Sequence, residues 1–150
     1  MSSSGLKASS TVFVDVNIFI DVFQRRAGWS SSLQVINLVR KKRVEGCVSS
    51  LTVAITYFLR KNQRQAKKIS DSQARADIQD LMQGFDILPL DSDHVLSAFA
   101  DRRFRDFEDA MQFYSAKGKA DVIVTRNKKH YSGVTDEIQI LSPEEFLKMH

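Results

Sequence analysis

Apolar residues in this chain form short continuous runs that alternate with longer stretches of helical period. Residues 11–16, TVFVDV, are β-branched and aromatic with apolar positions on both faces, the pattern of a strand buried in a parallel sheet. A helical stretch over 18–25 follows and breaks at Ala27-Gly28. Leu33, Ile36 and Val39 predict a second helix over 31–43, whose basic end RKKR suits the negative pole of a helix dipole. Residues 46–50 read as a second strand and 52–61 as a third helix, with a basic stretch continuing through Lys68.

The amphipathic segment 70–83 stops at Gly84, a suitable residue just past a helix end. Residues 85–90 form a third apolar run, and Asp91 or Ser92 is placed to cap a helix over 93–100. A basic turn at 102–105 precedes a clear helix over 106–116, terminated by Lys117-Gly118. Strands are expected at 121–125 (DVIVT) and 138–141, and Ser142-Pro143-Glu144-Glu145 is a strong helix start. Strands alternating with helices predict an α/β protein, a three-layer sandwich with a mostly parallel central sheet. Sites in such sheets form beyond the carboxyl ends of the strands, so polar residues there are the place to look.

A length of 150 residues suits one core, read here as a domain over 11–150 behind a disordered tail at 1–10. That tail is Ser-rich and lacks the apolar stretch of a signal peptide, and no run reaches the roughly 20 apolar residues that cross a bilayer. The single cysteine, Cys47, cannot form an internal disulfide and suits a reducing, cytoplasmic setting as a core thiol. The net charge of +4 is a mild basic bias, compatible with a polyanionic partner.

Candidate chemistry lies in three places. Asp15 interrupts an apolar strand, where a lone ionised carboxylate is costly, and Asn17 and Asp21 follow it in a DxN-x3-D arrangement. Helix capping by Asp15 or Asn17 explains that motif as well as function does. Asp106 and Asp109 would both crowd the start of one helix, which dipole and capping effects alone favour. Side by side they would also repel each other, and a bound cation would relieve the repulsion. Thr125, Arg126 and Asn127 end the fourth strand and offer oxygen ligands or a simple turn. In a parallel sheet the three places can converge, and an oxygen-only donor set suits Mg2+ or Mn2+. His94, His130 and His150 are scattered and read as surface or structural residues.

The segments VFVDVNIFIDVF, GCVSSLTVAITYFLRK, DFEDAMQFYSA and ADVIVTRNKKHY resemble, in order, those of PIN-domain proteins, a family that includes the ribonuclease toxins of bacterial toxin–antitoxin pairs. The likeness runs from Thr11 to Phe146, and DFEDAMQFYSA followed by DVIVTRN is its specific part. It implies a metal-dependent endoribonuclease with an acidic pocket for Mg2+ or Mn2+. Asp15 and Asp109 would be metal ligands, Asp106 a neighbouring acid, and Asn127 would stand where many members carry aspartate. The segment matching 52–58 contains no acid, where many members place a glutamate. Both departures imply weaker cation affinity and leave a catalytically degenerate, RNA- or protein-binding module as the alternative. A haloacid-type phosphotransferase would need aspartate at 17, and a response-regulator receiver an acidic pair that is missing here.

Around the acids, Arg102, Arg103, Arg105, Arg126, Lys128 and Lys129 are candidates for phosphate contacts, with Asn17 and Thr125 positioning substrate oxygens. A plain solvated surface explains the same cations. Arg60, Lys61, Arg64, Lys67 and Lys68 read as an ordinary exposed helix end. The resemblance further implies RNA as substrate, an antitoxin partner and a homodimer, with the apolar faces at 54–58 or 16–23 available for contacts or for the core.

Overall fold

The computed structural model describes residues 10–63 and 68–150. The expected tail, apart from Ser10, and the side chains of Arg64 and Lys67 lie outside the described residues. Five parallel strands form one sheet in the order β3-β2-β1-β4-β5. They are β1 (Thr11–Val14), β2 (Glu45–Ser49), β3 (Phe85–Leu88), β4 (Val122–Val124) and β5 (Gln139–Leu141). The central sheet expected from the alternating pattern is therefore present, and every pairing in it is parallel.

Alternate side chains of each strand feed two separate cores, because successive residues of a strand point to opposite faces. Val12, Val14, Val48, Val122, Val124 and Leu141 pack on one side against α1 (Val16–Gln24), α2 (Trp29–Arg40), α3 (Ser50–Lys61), α4 (Asp71–Leu81) and α7 (Pro143–Leu147). Phe13, Cys47, Ile123 and Ile140 pack on the other against α6 (Phe107–Ala116) and a 3-10 helix at Lys128–Val134. Helix α5 (Ser92–Ala100) lies beside α6. Burial on both faces explains why β1 and β4 read as nearly unbroken apolar runs.

The largest departure from the sequence reading is that 3-10 helix. Its apolar residues Tyr131 and Val134 are three apart and both fully buried, matching a repeat of three residues per turn where 3.6 was sought. Helix α2 starts earlier and stops at Arg40, since Lys42 turns into the left-handed region (φ 58°) to bring Val44 into the core. Gly84 does the corresponding work after α4, at φ 88°, with the Val39 carbonyl 2.9 Å from where a Cβ would stand. Of the apolar face at 16–23, read as contact surface or core, Val16, Ile18 and Phe19 are buried in the core.

The strand order sets where the chain can build a site. From β1 the chain steps outward through β2 to β3, then returns past β1 to β4, so connections leave β1 and β4 in opposite directions. A crevice opens at the carboxyl ends of those two neighbours. Asp15 follows β1 there, Thr125 follows β4, and the Asp15 N–H donates to the Val124 carbonyl at 3.0 Å.

Candidate active site

Asp15 is 1% exposed and caps α1, its Oδ1 accepting from the Val16 N–H at 2.8 Å. Its Oδ2 accepts from Thr125 Oγ1 at 2.8 Å, Tyr131 Oη at 3.1 Å and Asn17 Nδ2 at 3.3 Å. Burial raises its pKa, and the surrounding donors oppose that rise. Asn17 Nδ2 also donates to Thr125 Oγ1 at 3.1 Å, so strand ends β1 and β4 are stitched through one small polar cluster.

Asp109 enters from the first turn of α6, 6% exposed, with Oδ2 2.8 Å from His130 Nδ1. Burial and then the negative charge of Asp15 push its carboxyl up to about 6, and Asp106 adds to the rise. Asp15 and Asp109, far apart in the chain, are thereby brought near enough to interact, each bonded to one of two consecutive residues, Tyr131 and His130. Asp106 caps α6, accepting from the N–H groups of Glu108 (2.8 Å) and Asp109 (3.4 Å). The capping reading of this helix start is therefore observed at Asp106.

Two residues beside these acids were not singled out in the sequence. His130 was grouped with surface or structural histidines, yet it holds Asp109 and helps line a cavity of about 540 Å³ with Arg103, Arg105, Asp106, Lys129 and Ser132. Glu108 is half-buried and its pKa is raised by burial and by the charges of Asp15, Asp106 and Asp109. Reading Glu108 as the middle of an acidic helix start hid it; a carboxylate next to two others was the available signal.

The expected cations separate into engaged and open ones. Arg126 is turned inward, a correction to its expected phosphate contact: its guanidinium bonds Asp21 (2.8 Å), Glu144 (2.6 Å) and the Gly28 carbonyl (2.6 Å). Arg103 pairs with Asp101 at 2.7 Å and with Glu137, and Lys128 pairs with Glu145 at 2.8 Å. Both are thereby less available to a phosphate than expected. Arg105 and Lys129 line the cavity beside Asp106 and His130 and carry no ion pair among the described residues. Asn127 is exposed; its N–H donates to Thr125 Oγ1 at 3.0 Å, and its side chain leads the 3-10 helix without capping it. Asp21 lies away from the acids, bound to Arg126 and to Ser32 Oγ at 2.9 Å. His94 completes a capping box with Asp91 and plays no part here.

The donor set fits a hard divalent cation. Its ligands are all oxygen, the acids repel each other, and Asp15 Oδ1 keeps a lone pair beyond its bond to Val16. Among the described residues no three Asp, Glu, His or Cys side chains are grouped so that they could hold a metal ion together.

Asp15 at the end of β1 is thus bonded to Thr125 at the end of β4, and the acidic start of α6 to His130 just beyond it, at the carboxyl edge of a five-strand parallel sheet. The PIN domain family model matches residues 11–129, and the chain belongs to that family. Among curated proteins it is similar to Ribonuclease VapC1 of Aquifex aeolicus (strain VF5), 28% identical over 143 residues covering 92% of this chain and 94% of the relative. Among solved structures its fold is similar to VapBC2 from Rickettsia felis bound to a promoter DNA fragment, with TM-score 0.64 and 13% identity over 88% of this chain and 98% of that one. It is also similar to a toxin–antitoxin complex from Klebsiella pneumoniae, with TM-score 0.61 and 20% identity over 88% and 97%. FitAB bound to an IR36 DNA fragment gives TM-score 0.64 and 18% identity over 88% and 94%.

Proposed function

We propose that this chain is a metal-dependent endoribonuclease acting as the toxin of a toxin–antitoxin pair. One observation carries the proposal: the neighbouring residues Tyr131 and His130 bond Asp15 Oδ2 at 3.1 Å and Asp109 Oδ2 at 2.8 Å, bringing two carboxylates from distant parts of the chain close enough to interact. Family membership and the ribonuclease relative support the same reading.

Asp15 and Asp109 would hold Mg2+ or Mn2+, with Asp106 and Glu108 adding negative charge beside them. The ion would supply phosphate polarisation and a nucleophilic water at neutral pH. The protein's own groups do the rest. Thr125, Tyr131 and Asn17 keep Asp15 in one orientation, His130 does so for Asp109, and Arg105 and Lys129 attract the phosphates that the acids would repel. Asn127, exposed just beyond β4, would meet a substrate oxygen.

For the antitoxin, support comes from the toxin–antitoxin complexes among the structural relatives and from apolar surface on this chain. Val53, Ala54, Tyr57, Ile78, Met82 and Ile87 line an apolar cavity of about 630 Å³ between α3, α4 and the β3 edge. An amphipathic helix of a partner suits such a groove. The exposed Phe58, Leu96 and Phe99 are available to a second copy in a homodimer. Among the described residues no helix is long and apolar enough to cross a membrane.

The test is cleavage of a mixed RNA pool with Mg2+ or Mn2+, beside EDTA, Asp15→Asn and Asp109→Asn. Cleavage by the wild type alone, abolished by EDTA, is expected. Absence of cleavage in every lane would move the chain to the non-catalytic alternative.

A further inference from the structure

Arg126 is the most heavily bonded side chain near the crevice and touches none of the acids that would meet substrate. Its Nε donates to Asp21 of α1 at 2.8 Å, its Nη1 to both oxygens of Glu144 of α7 at 2.6 and 2.8 Å, and its Nη2 to the Gly28 carbonyl at 2.6 Å and Ser32 Oγ of α2 at 3.1 Å. Three helices are thereby tied to the turn that ends β4. The planar, five-donor fork of arginine makes this possible, and a lysine could satisfy only part of it.

The seat of that fork is built for it. Gly28 stands at φ 82°, and a Cβ there would lie 2.6 Å from Arg126 Nη2. Glycine is needed twice over, for its left-handed backbone and for the close approach of the guanidinium. Such a fit goes beyond what a surface cation requires.

From the anchored turn a short chain of bonds reaches Asp15. The Arg126 N–H donates to Asn17 Oδ1 at 3.1 Å, and Asn17 Nδ2 donates to Asp15 Oδ2 and to Thr125 Oγ1. Thr125 Oγ1 in turn donates to Asp15 Oδ2 at 2.8 Å and receives the Asn127 N–H at 3.0 Å. We infer that Arg126 is a positioning residue, which fixes the Thr125–Asn127 turn against α1, α2 and α7 and through Asn17 and Thr125 sets the Asp15 carboxylate for its cation.

The inference rests on the nuclease reading for its consequence in catalysis but not for its consequence in cation binding. Partners that orient metal ligands typically contribute about 10- to 100-fold in affinity or activity. The experiment compares wild type, Arg126→Lys and Glu144→Gln, the last removing charge from the far side of the fork. Each is measured well below its own melting temperature, so that all molecules counted are folded. Mn2+ affinity is read without RNA from water-proton relaxation, and kcat, KM and the salt dependence of KM are read with RNA.

The expected result for Arg126→Lys is Mn2+ affinity and kcat each reduced about tenfold or more, with KM and its salt slope unchanged. Glu144→Gln should show a smaller loss of the same kind. A raised KM with unchanged kcat and a shallower salt slope would overturn the inference in favour of a phosphate contact. Wild-type Mn2+ affinity and kcat in a variant that only melts earlier would overturn it in favour of fold stability alone. If the wild type cleaves nothing, the nuclease reading fails, and the Mn2+ affinities still decide the role of Arg126.

Discussion

His130 Nδ1 lies 2.8 Å from Asp109 Oδ2, so an imidazole on the 3-10 helix steadies a carboxylate on α6 that burial and Asp15 both disfavour as an anion. The contact only partly offsets the cost of that anion, since the Asp109 carboxyl still sits at about 6 against an ordinary 3.8. Storing repulsion of this kind is what a cation site needs before its cation arrives.

The sign of the pH effect follows. Asp109 binds its proton more tightly in the folded chain, so its contribution to stability is fully present below about 3.8 and is lost as pH rises through about 6. In EDTA at pH 7.5, Asp109→Asn should therefore be more stable than wild type, by on the order of 1 kcal/mol after solvent screening. Urea unfolding at pH 7.5 and pH 4 tests it, and the gain should shrink at the lower pH. Saturating Mg2+ should stabilise wild type and leave the variant unchanged, because only a folded, intact site binds it. A variant less stable than wild type at both pH values would contradict this.

Much of this arrangement was legible in the sequence, and the missing parts have physical reasons. The inner strands β1 and β4 announced themselves because burial on both faces leaves no polar positions within Val12–Val14 or Val122–Val124. Asp15 was visible as a carboxylate inside such a run, and the α6 start as a pair of acids. Arg126 was misread because strand-end cations look alike in sequence; its partners Asp21, Gly28 and Glu144 are all distant along the chain. His130 and Tyr131 were missed because their 3-10 helix repeats every three residues, and neither the helical nor the strand period finds it. Gln112, fully buried and bonded to Thr52 Oγ1 at 2.9 Å and to Ser49, was likewise not singled out.

The orientation of Asp15 gives a second prediction. Thr125→Val keeps the volume and removes the hydroxyl that donates to Asp15 Oδ2 and accepts from Asn17 Nδ2 and the Asn127 N–H. Cleavage should fall about 10- to 100-fold, by loss of a partner that holds a ligand in place. Stability should fall by about 1–3 kcal/mol, because a buried carboxylate and two donors lose their partner. Single-turnover cleavage and thermal melting measure the two effects. Retention of both at wild-type level would show that Thr125 does not set Asp15.

The open cations give a third. Arg105 and Lys129 border the cavity beside Asp106 and His130, whereas Arg103 and Lys128 are held by carboxylates of the fold. Arg105→Gln and Lys129→Gln should each raise KM for single-stranded RNA and leave kcat near wild type. Each should also reduce the slope of log affinity against log salt by about 0.7, the value for one lost phosphate contact on a single strand. Arg103→Gln should change the slope less and lower the melting temperature more. An unchanged slope in both Arg105 and Lys129 variants would remove them from the RNA path.

Cys47 supplies the last prediction, and it concerns the sheet. The thiol is 1% exposed beneath α6, its Sγ 3.6 Å from the Val12 carbonyl, and burial followed by the charge of Asp86 pushes its pKa up to about 12. At pH 8 only about one molecule in 10⁴ would carry the reactive thiolate, and that thiolate is enclosed. Labelling with an aromatic disulfide should therefore wait for unfolding of the β1–β2 core and show the same denaturant dependence as the loss of helix signal. The same reagent should react at once in 6 M guanidinium chloride. Fast stoichiometric labelling of the native protein would mean that the β2 strand opens locally, and the rigid placement of Asp15 at the end of its neighbour β1 would fail with it.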